Sequence, residues 1–62
     1  MVEPQFEITK DAAGEYRFRL KAPNGEIIAV SESYKSKDSC KNGIASVKRN
    51  APKGIIQDLT GE

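Results

Sequence analysis

This 62-residue chain has no histidine, no tryptophan and a single cysteine, Cys40. Without histidine, the common Ser–His and Cys–His catalytic pairs are absent. With one cysteine there is no intrachain disulfide, and neither residue type supplies a zinc site. Aromatic residues are scarce: two Phe and two Tyr leave little with which to build a core. A chain this short buries a small fraction of its surface and is marginal alone, and oligomerisation is a usual remedy. No apolar run is long enough for a signal peptide or a membrane helix. A lone thiol and no targeting segment fit the cytoplasm. The glycines at 14, 25, 43, 54 and 61 stand apart, so no phosphate-binding loop is present. No cofactor, metal or small-molecule ligand is implied.

Formal net charge is +1, which gives the whole molecule no bias toward nucleic acid or membrane. The charge is unevenly placed, however. Over residues 1–34 acids outnumber bases, six to four, whereas residues 35–53 hold six bases and one acid, Asp38. The basic stretch contains the one helix. Ser36 is suited to cap its N-terminus, and Asp38 falls in the first turn, where negative charge favours the helix dipole. Cys40, Gly43, Ile44, Val47 and Ala51 recur at spacings of three and four and form one stripe. Lys48 and Arg49 occupy the last turn, Asn50 suits a left-handed cap and Pro52 stops continuation. Gly43 costs roughly 1 kcal/mol against Ala in a helix, so its place on the buried stripe implies a close approach to what the helix covers.

Ahead of the helix the pattern is that of strands. Residues 1–5 are polar and read as a frayed end. Residues 6–10 alternate with Phe6 and Ile8 inward. Residues 15–22 alternate with Tyr16, Phe18, Leu20 and Ala22 on one face and Arg17, Arg19 and Lys21 on the other. Residues 26–32 form the third strand. After Pro52, Lys53 and Gly54 make a hinge, and residues 55–59 have the composition of a short fourth strand. A three-residue loop, 12–14, with Gly14 left-handed, sets Ile8 opposite Phe18, Phe6 opposite Leu20 and Glu7 opposite Arg19. A two-residue Asn24-Gly25 loop sets Leu20 opposite Ala29, Phe18 opposite Ser31 and Arg17 opposite Glu32. The expected inner face is then Phe6, Ile8, Tyr16, Phe18, Leu20, Ala22, Ile27 and Ala29. Ile28 and Val30 fall on the other face, beside the arginine stems. The expectation is a single α+β domain over residues 1–62, with its core in 6–52. It comprises a three-stranded antiparallel meander with one helix on one face, and residues 53–62 form a C-terminal segment (β-β-β-α-β).

The stretch GEYRFRLKAPNGEIIAVSESYKSK, followed by SCKNGIASVKRNAP, resembles the YegP-like family (UPF0339) of small bacterial and archaeal proteins of unknown function. The likeness covers roughly residues 6–52. It is most specific at Asn24-Gly25-Glu26, at Ser31-Glu32 through Tyr34 and Ser36-Lys37, and at Cys40 with Asn42-Gly43-Ile44. It departs at Ser33, where members often carry Gly. The family is known for tandem copies of one three-strand-plus-helix unit that pack as a pair. One copy here implies that two chains associate, and the resemblance brings no activity with it.

Cys40 lies near a helix N-terminus, which favours a thiolate, yet it sits on the apolar stripe, where a buried thiol is inert. The core reading outweighs a redox role, and no catalytic residue is expected. Arg17, Arg19 and Lys21 on the sheet, with Lys37, Lys41 and Lys48 along a helix flank, make basic stripes that can hold phosphates. The register pairs both arginines with acids and no aromatic is interleaved for stacking, so nucleic-acid binding is the alternative rather than the leading reading. The leading reading is a non-catalytic homodimer, a structural or protein-interaction module. Its contact surface is formed by Ile28 and Val30, with Arg17 and Arg19 at the rim and Ile55 and Ile56 from the C-terminal segment. The sequence leaves open whether that segment pairs with its own sheet or crosses to the partner.

Overall fold

The computed structural model describes residues 3–62, so the first two residues of the expected frayed end lie outside the described residues. Three strands, β1 (Gln5–Lys10), β2 (Tyr16–Lys21) and β3 (Ile27–Val30), precede one helix, α1 (Lys37–Asn50), and a 3-10 turn (Ala51–Lys53). The sheet is antiparallel in the order β1-β2-β3.

The first hairpin forms in the expected register, with Phe6 opposite Leu20, Glu7 opposite Arg19 and Ile8 opposite Phe18. Its loop closes through Asp11 N–H to the Glu15 carbonyl at 2.8 Å, and Gly14 takes φ +81°. The Asp11 carboxylate accepts from the Ala13 and Glu15 amides, both at 3.0 Å, which holds the turn from inside.

The second hairpin differs from its expected form. Ala22 N–H donates to the Glu26 carbonyl at 2.8 Å, so the loop is Pro23-Asn24-Gly25, three residues rather than two, with Gly25 at φ +88°. The extra residue is absorbed by a bulge: Lys21 lies opposite Ile27, but Leu20 lies opposite Ala29 and Arg19 opposite Val30. The expected register therefore survives away from the loop, including the Ser31 N–H to Phe18 carbonyl bond at 2.9 Å. Ile27 is displaced from the inner row by this bulge. It pairs with Lys21, an outer-row residue, and is 48% exposed.

The helix begins as its sequence dictates, with Ser36 Oγ accepting from the Ser39 amide at 3.0 Å. Its end differs in detail. Asn50 stays right-handed (φ −98°), its side-chain amide donates to the Ser46 carbonyl at 2.9 Å, and the chain tightens into the 3-10 turn containing Pro52. Ala51 is thereby exposed rather than part of the buried stripe.

The core is Phe18, Cys40 and Ile44, with Phe6, Ile8, Tyr16, Tyr34 and Val47 packed around it. All these sheet residues belong to β1 and β2, so the helix covers those strands and leaves every residue of β3 exposed. Leu20 and Ala22 are only half-buried, and Ala29 is exposed. Residues 55–59 form no strand, and Ile55, Ile56 and Leu59 are 90%, 98% and 83% exposed.

Candidate functional site

Tyr34 is the member of the core that periodicity could not supply, because it sits in the linker between β3 and α1. Its backbone exchanges two 2.7 Å hydrogen bonds with Tyr16, an isolated bridge that continues the sheet past the end of β3. Its ring stacks on Phe18, with centroids 6.1 Å apart. Gly43 gives that ring its room. A Cβ there would collide with the Tyr34 hydroxyl and lie 2.7 Å from ring carbon Cζ. The close approach expected at Gly43 is thus real, and the one signal that pointed to Tyr34 was the glycine itself.

Cys40 is completely buried among these groups, so its thiol is presented to no substrate. Among the described residues, no group of three or more His, Cys, Asp and Glu side chains is placed to hold a metal ion. None of the described helices is long and apolar enough to cross a membrane.

The basic residues are largely engaged within the chain. Arg19 Nε lies 2.7 Å from Glu7 Oε1, and Lys21 Nζ lies 3.6 Å from Glu7 Oε2. Arg17, expected opposite Glu32, instead reaches Asp11 at 3.3 Å, because the Asp11 carboxylate is already fixed by the turn. The Arg19 hydrogen bond is the main cause that holds the Glu7 carboxyl below its ordinary range, with Lys21 adding to it. Asp11 is lowered chiefly by the Glu15 amide and then by Arg17. On the helix, the ammonium groups of Lys37 and Lys48 lie over the rings of Tyr16 and Phe6, at 5.9 and 5.7 Å, while Lys41 is exposed. Lys10 lies 5.4 Å from the same Tyr16 ring. The helix flank is therefore not one continuous row of free charge. Lys10 and Lys37 instead border a shallow cleft of about 270 Å³ beside Tyr16, Ile8 and Thr9.

The surface that remains unaccounted for is apolar. Ile27, Ile28 and Val30, at 48%, 58% and 73% exposure, run along β3, which among the described residues is hydrogen-bonded on one side only. The other edge strand, β1, exposes Gln5, Thr9 and Lys10 instead, and a lysine blunts an edge. Arg17 and Arg19 lie on the strand next to β3, and Ile55 and Ile56 stand clear of the sheet on the C-terminal segment. The structure thus brings Arg19 and Val30 into register but places Ile55 and Ile56 against nothing.

Together these features define a small α+β domain of one helix on a three-stranded antiparallel sheet, with the third strand left exposed. The chain belongs to the family described as "Domain of unknown function (DUF1508)", which matches residues 11–58. It is similar to a UPF0339 protein of Treponema denticola, 53% identical over 55 residues, covering 89% of this chain and 95% of that one. It is also 58% identical over 54 residues to UPF0339 protein YegP of Yersinia pestis, which covers 87% of this chain but only 48% of the relative. An NMR solution structure of a protein from Haloferax volcanii superposes with a TM-score of 0.85 at 47% identity, covering 95% of this chain and all of that one. The resemblance read over roughly residues 6–52 is therefore a family membership, and the family's function is unknown.

Proposed function

We propose that this chain is a non-catalytic, homodimeric module whose second copy covers β3. The observation that carries this reading is the apolar, unpaired edge of β3, with Ile27, Ile28 and Val30 exposed on a strand the helix does not reach. Unpaired, flat, apolar edges invite association, and proteins seldom leave them bare. A two-fold arrangement satisfies both subunits with one patch. Arg17 and Arg19 lie beside it with their charges already bound to Asp11 and Glu7, so their stems can flank an apolar contact while the heads stay at the rim. The relative in which this chain spans about half the length supports the reading, since that chain has room for a second unit.

The non-catalytic reading rests on chemistry. The sequence has no histidine to act as base, and its one thiol is buried. A cytoplasmic setting suits that unpaired thiol. The engagement of Arg17, Arg19 and Lys21 with acids weighs against nucleic-acid binding through the sheet. Phosphate-driven binding would show a steep fall in affinity with salt.

Replacing Ile28 and Val30 together with Asp tests the dimer through linkage. The melting temperature of the native protein should rise with protein concentration, because association stabilises only the folded chain. The double variant should melt at a temperature independent of concentration. A native melting temperature that ignores concentration would contradict the reading.

A further inference from the structure

The geometry points to a binding site for a small phosphate monoester in the cleft bordered by Lys10 and Lys37. The site lies away from β3 and does not depend on the dimer reading.

Each lysine is placed against its local preference. Lys10 pairs with Tyr16 and follows Phe6 and Ile8 at a spacing of two, so it continues the inner row that the helix faces. A charge there adds nothing to the core. Lys37 is the first residue of α1, where the helix dipole favours negative charge. Local rules of this kind are broken mainly at functional sites.

The two exceptions meet in one place. Both ammonium groups lie over the Tyr16 ring, at 5.4 and 5.9 Å from its centre, and both line the cleft of about 270 Å³. Arg17, Arg19 and Lys21 each have a carboxylate, whereas among the described residues Lys10 and Lys37 form no ion pair. A cation–π contact at an exposed site is a weak substitute for a counter-charge. Two like charges therefore face one cleft with no anion between them.

The start of the helix adds donors. Ser36 takes the Ser39 amide on its hydroxyl and the Cys40 amide on its carbonyl. The amides of Lys37 and Asp38 precede the first intrahelical bond and have no acceptor within the helix, an arrangement that favours an anion. The frame is fixed, because Tyr16 is held by two 2.7 Å backbone bonds to Tyr34 and by its pairing with Lys10.

The walls select the ligand. Two ammonium groups match the two charges that a phosphate ester carries near neutral pH. Ile8 and the Tyr16 ring offer an apolar wall to its organic part. The volume lies just below the range of roughly 300–1,000 Å³ that holds drug-sized ligands, so the ligand is small. A nucleic-acid strand needs a groove that follows several phosphates, which this cleft is not.

The test is an amide NMR titration of the full chain with phenyl phosphate at about pH 7.5, where the ester is largely a dianion. Saturable shifts are expected at Lys10, Tyr16, Lys37 and Asp38, with Arg19, Lys21 and Lys41 unmoved. Lys10→Gln and Lys37→Gln should each weaken binding roughly tenfold, for the loss of one charge-assisted contact. Lys10→Arg, which keeps the charge, and Lys41→Gln, on the exposed helix flank, should both retain binding. The same spectra report whether each variant is folded. Shifts that grow without saturating, or that spread over Arg19, Lys21 and Lys41, would mean general screening of surface charge and overturn the site. Unchanged binding in both Gln variants would overturn it as well. Displacement of phenyl phosphate by a short single-stranded oligonucleotide without a terminal phosphate would overturn the small-ligand assignment in favour of nucleic acid.

Discussion

Strands β2 and β3 are neighbours in one sheet, yet their surroundings differ sharply. On β2, Phe18 is 6% exposed beneath α1, with Phe6 edge-on at 5.9 Å and Tyr34 stacked on it. On β3, Val30 is 73% exposed with nothing above it. Both strands are rich in residues that favour sheets, so propensity does not separate them. Cover does: a single 14-residue helix lies over the inner row of β1 and β2, Ala29 on the inner row of β3 is left exposed, and Val30, opposite Arg19, belongs to the outer row on the face away from the helix. The helix-covered strands carry the core, and the third strand keeps its large apolar side chains exposed.

The largest effect that would expose this contrast is a truncation in the covered half. Phe18→Ala should cost about 3–5 kcal/mol. That is most of the roughly 3–9 kcal/mol available to a chain of this length. Circular dichroism on heating should show the folded state largely lost. The matching change in the other half, Val30→Ala, should leave the stability of the dissociated protomer within about 0.5 kcal/mol. Equal costs at the two sites would erase the distinction.

A smaller effect is expected where helix and sheet meet. Gly43→Ala would gain up to about 1 kcal/mol of helix propensity. Against that, the added methyl collides with the Tyr34 ring, which itself packs on Phe18. Overpacking of this kind typically costs about 1–3 kcal/mol, so denaturant unfolding should report net destabilisation. A stabilised Gly43→Ala would mean that Tyr34 moves freely and is no part of the core.

The smallest effect concerns acid. The carboxyls of Glu7 and Asp11 are held below their ordinary values in the folded chain. Their contribution is present above the unfolded value, near pH 4, and is lost as pH falls through the lower folded value. Both residues are tied to the β1–β2 hairpin, so urea unfolding midpoints should decline below about pH 4. The decline should be shallower in Glu7→Gln. Both ion pairs reach solvent, which screens them, so the change should be modest.

Much of this was legible in the sequence, wherever an element carries its own instructions. The helix start is written in Ser36 and Asp38, and the first register in the alternation from Phe6 to Leu20 together with the pairing of Glu7 with Arg19. The second turn was misread because Asn24-Gly25 alone suggests a two-residue loop. Ala22-Pro23-Asn24-Gly25-Glu26 in fact repeats the spacing of Asp11-Ala12-Ala13-Gly14-Glu15, and both loops close with the same hydrogen bonds. Tyr34 was hidden because one aromatic residue in a linker has no period. Its only trace was Gly43, on the buried face of another element. Residues 55–59 show the limit of local reading: their composition favours a strand, but a strand exists only where an edge is within reach. The same limit applies to the candidate surface. Val30 lies opposite Arg19, on the outer row that alternation assigns it, whereas Ile27 leaves the expected inner row because the bulge that moves it accompanies the three-residue turn.

The central claim, that the uncovered half is completed by a second copy, is met most directly by sedimentation equilibrium on the native chain across a concentration series. The account predicts a mass approaching twice the 6.8 kDa protomer at high micromolar concentration, with reversible dissociation on dilution. A mass of one protomer at every concentration would contradict it.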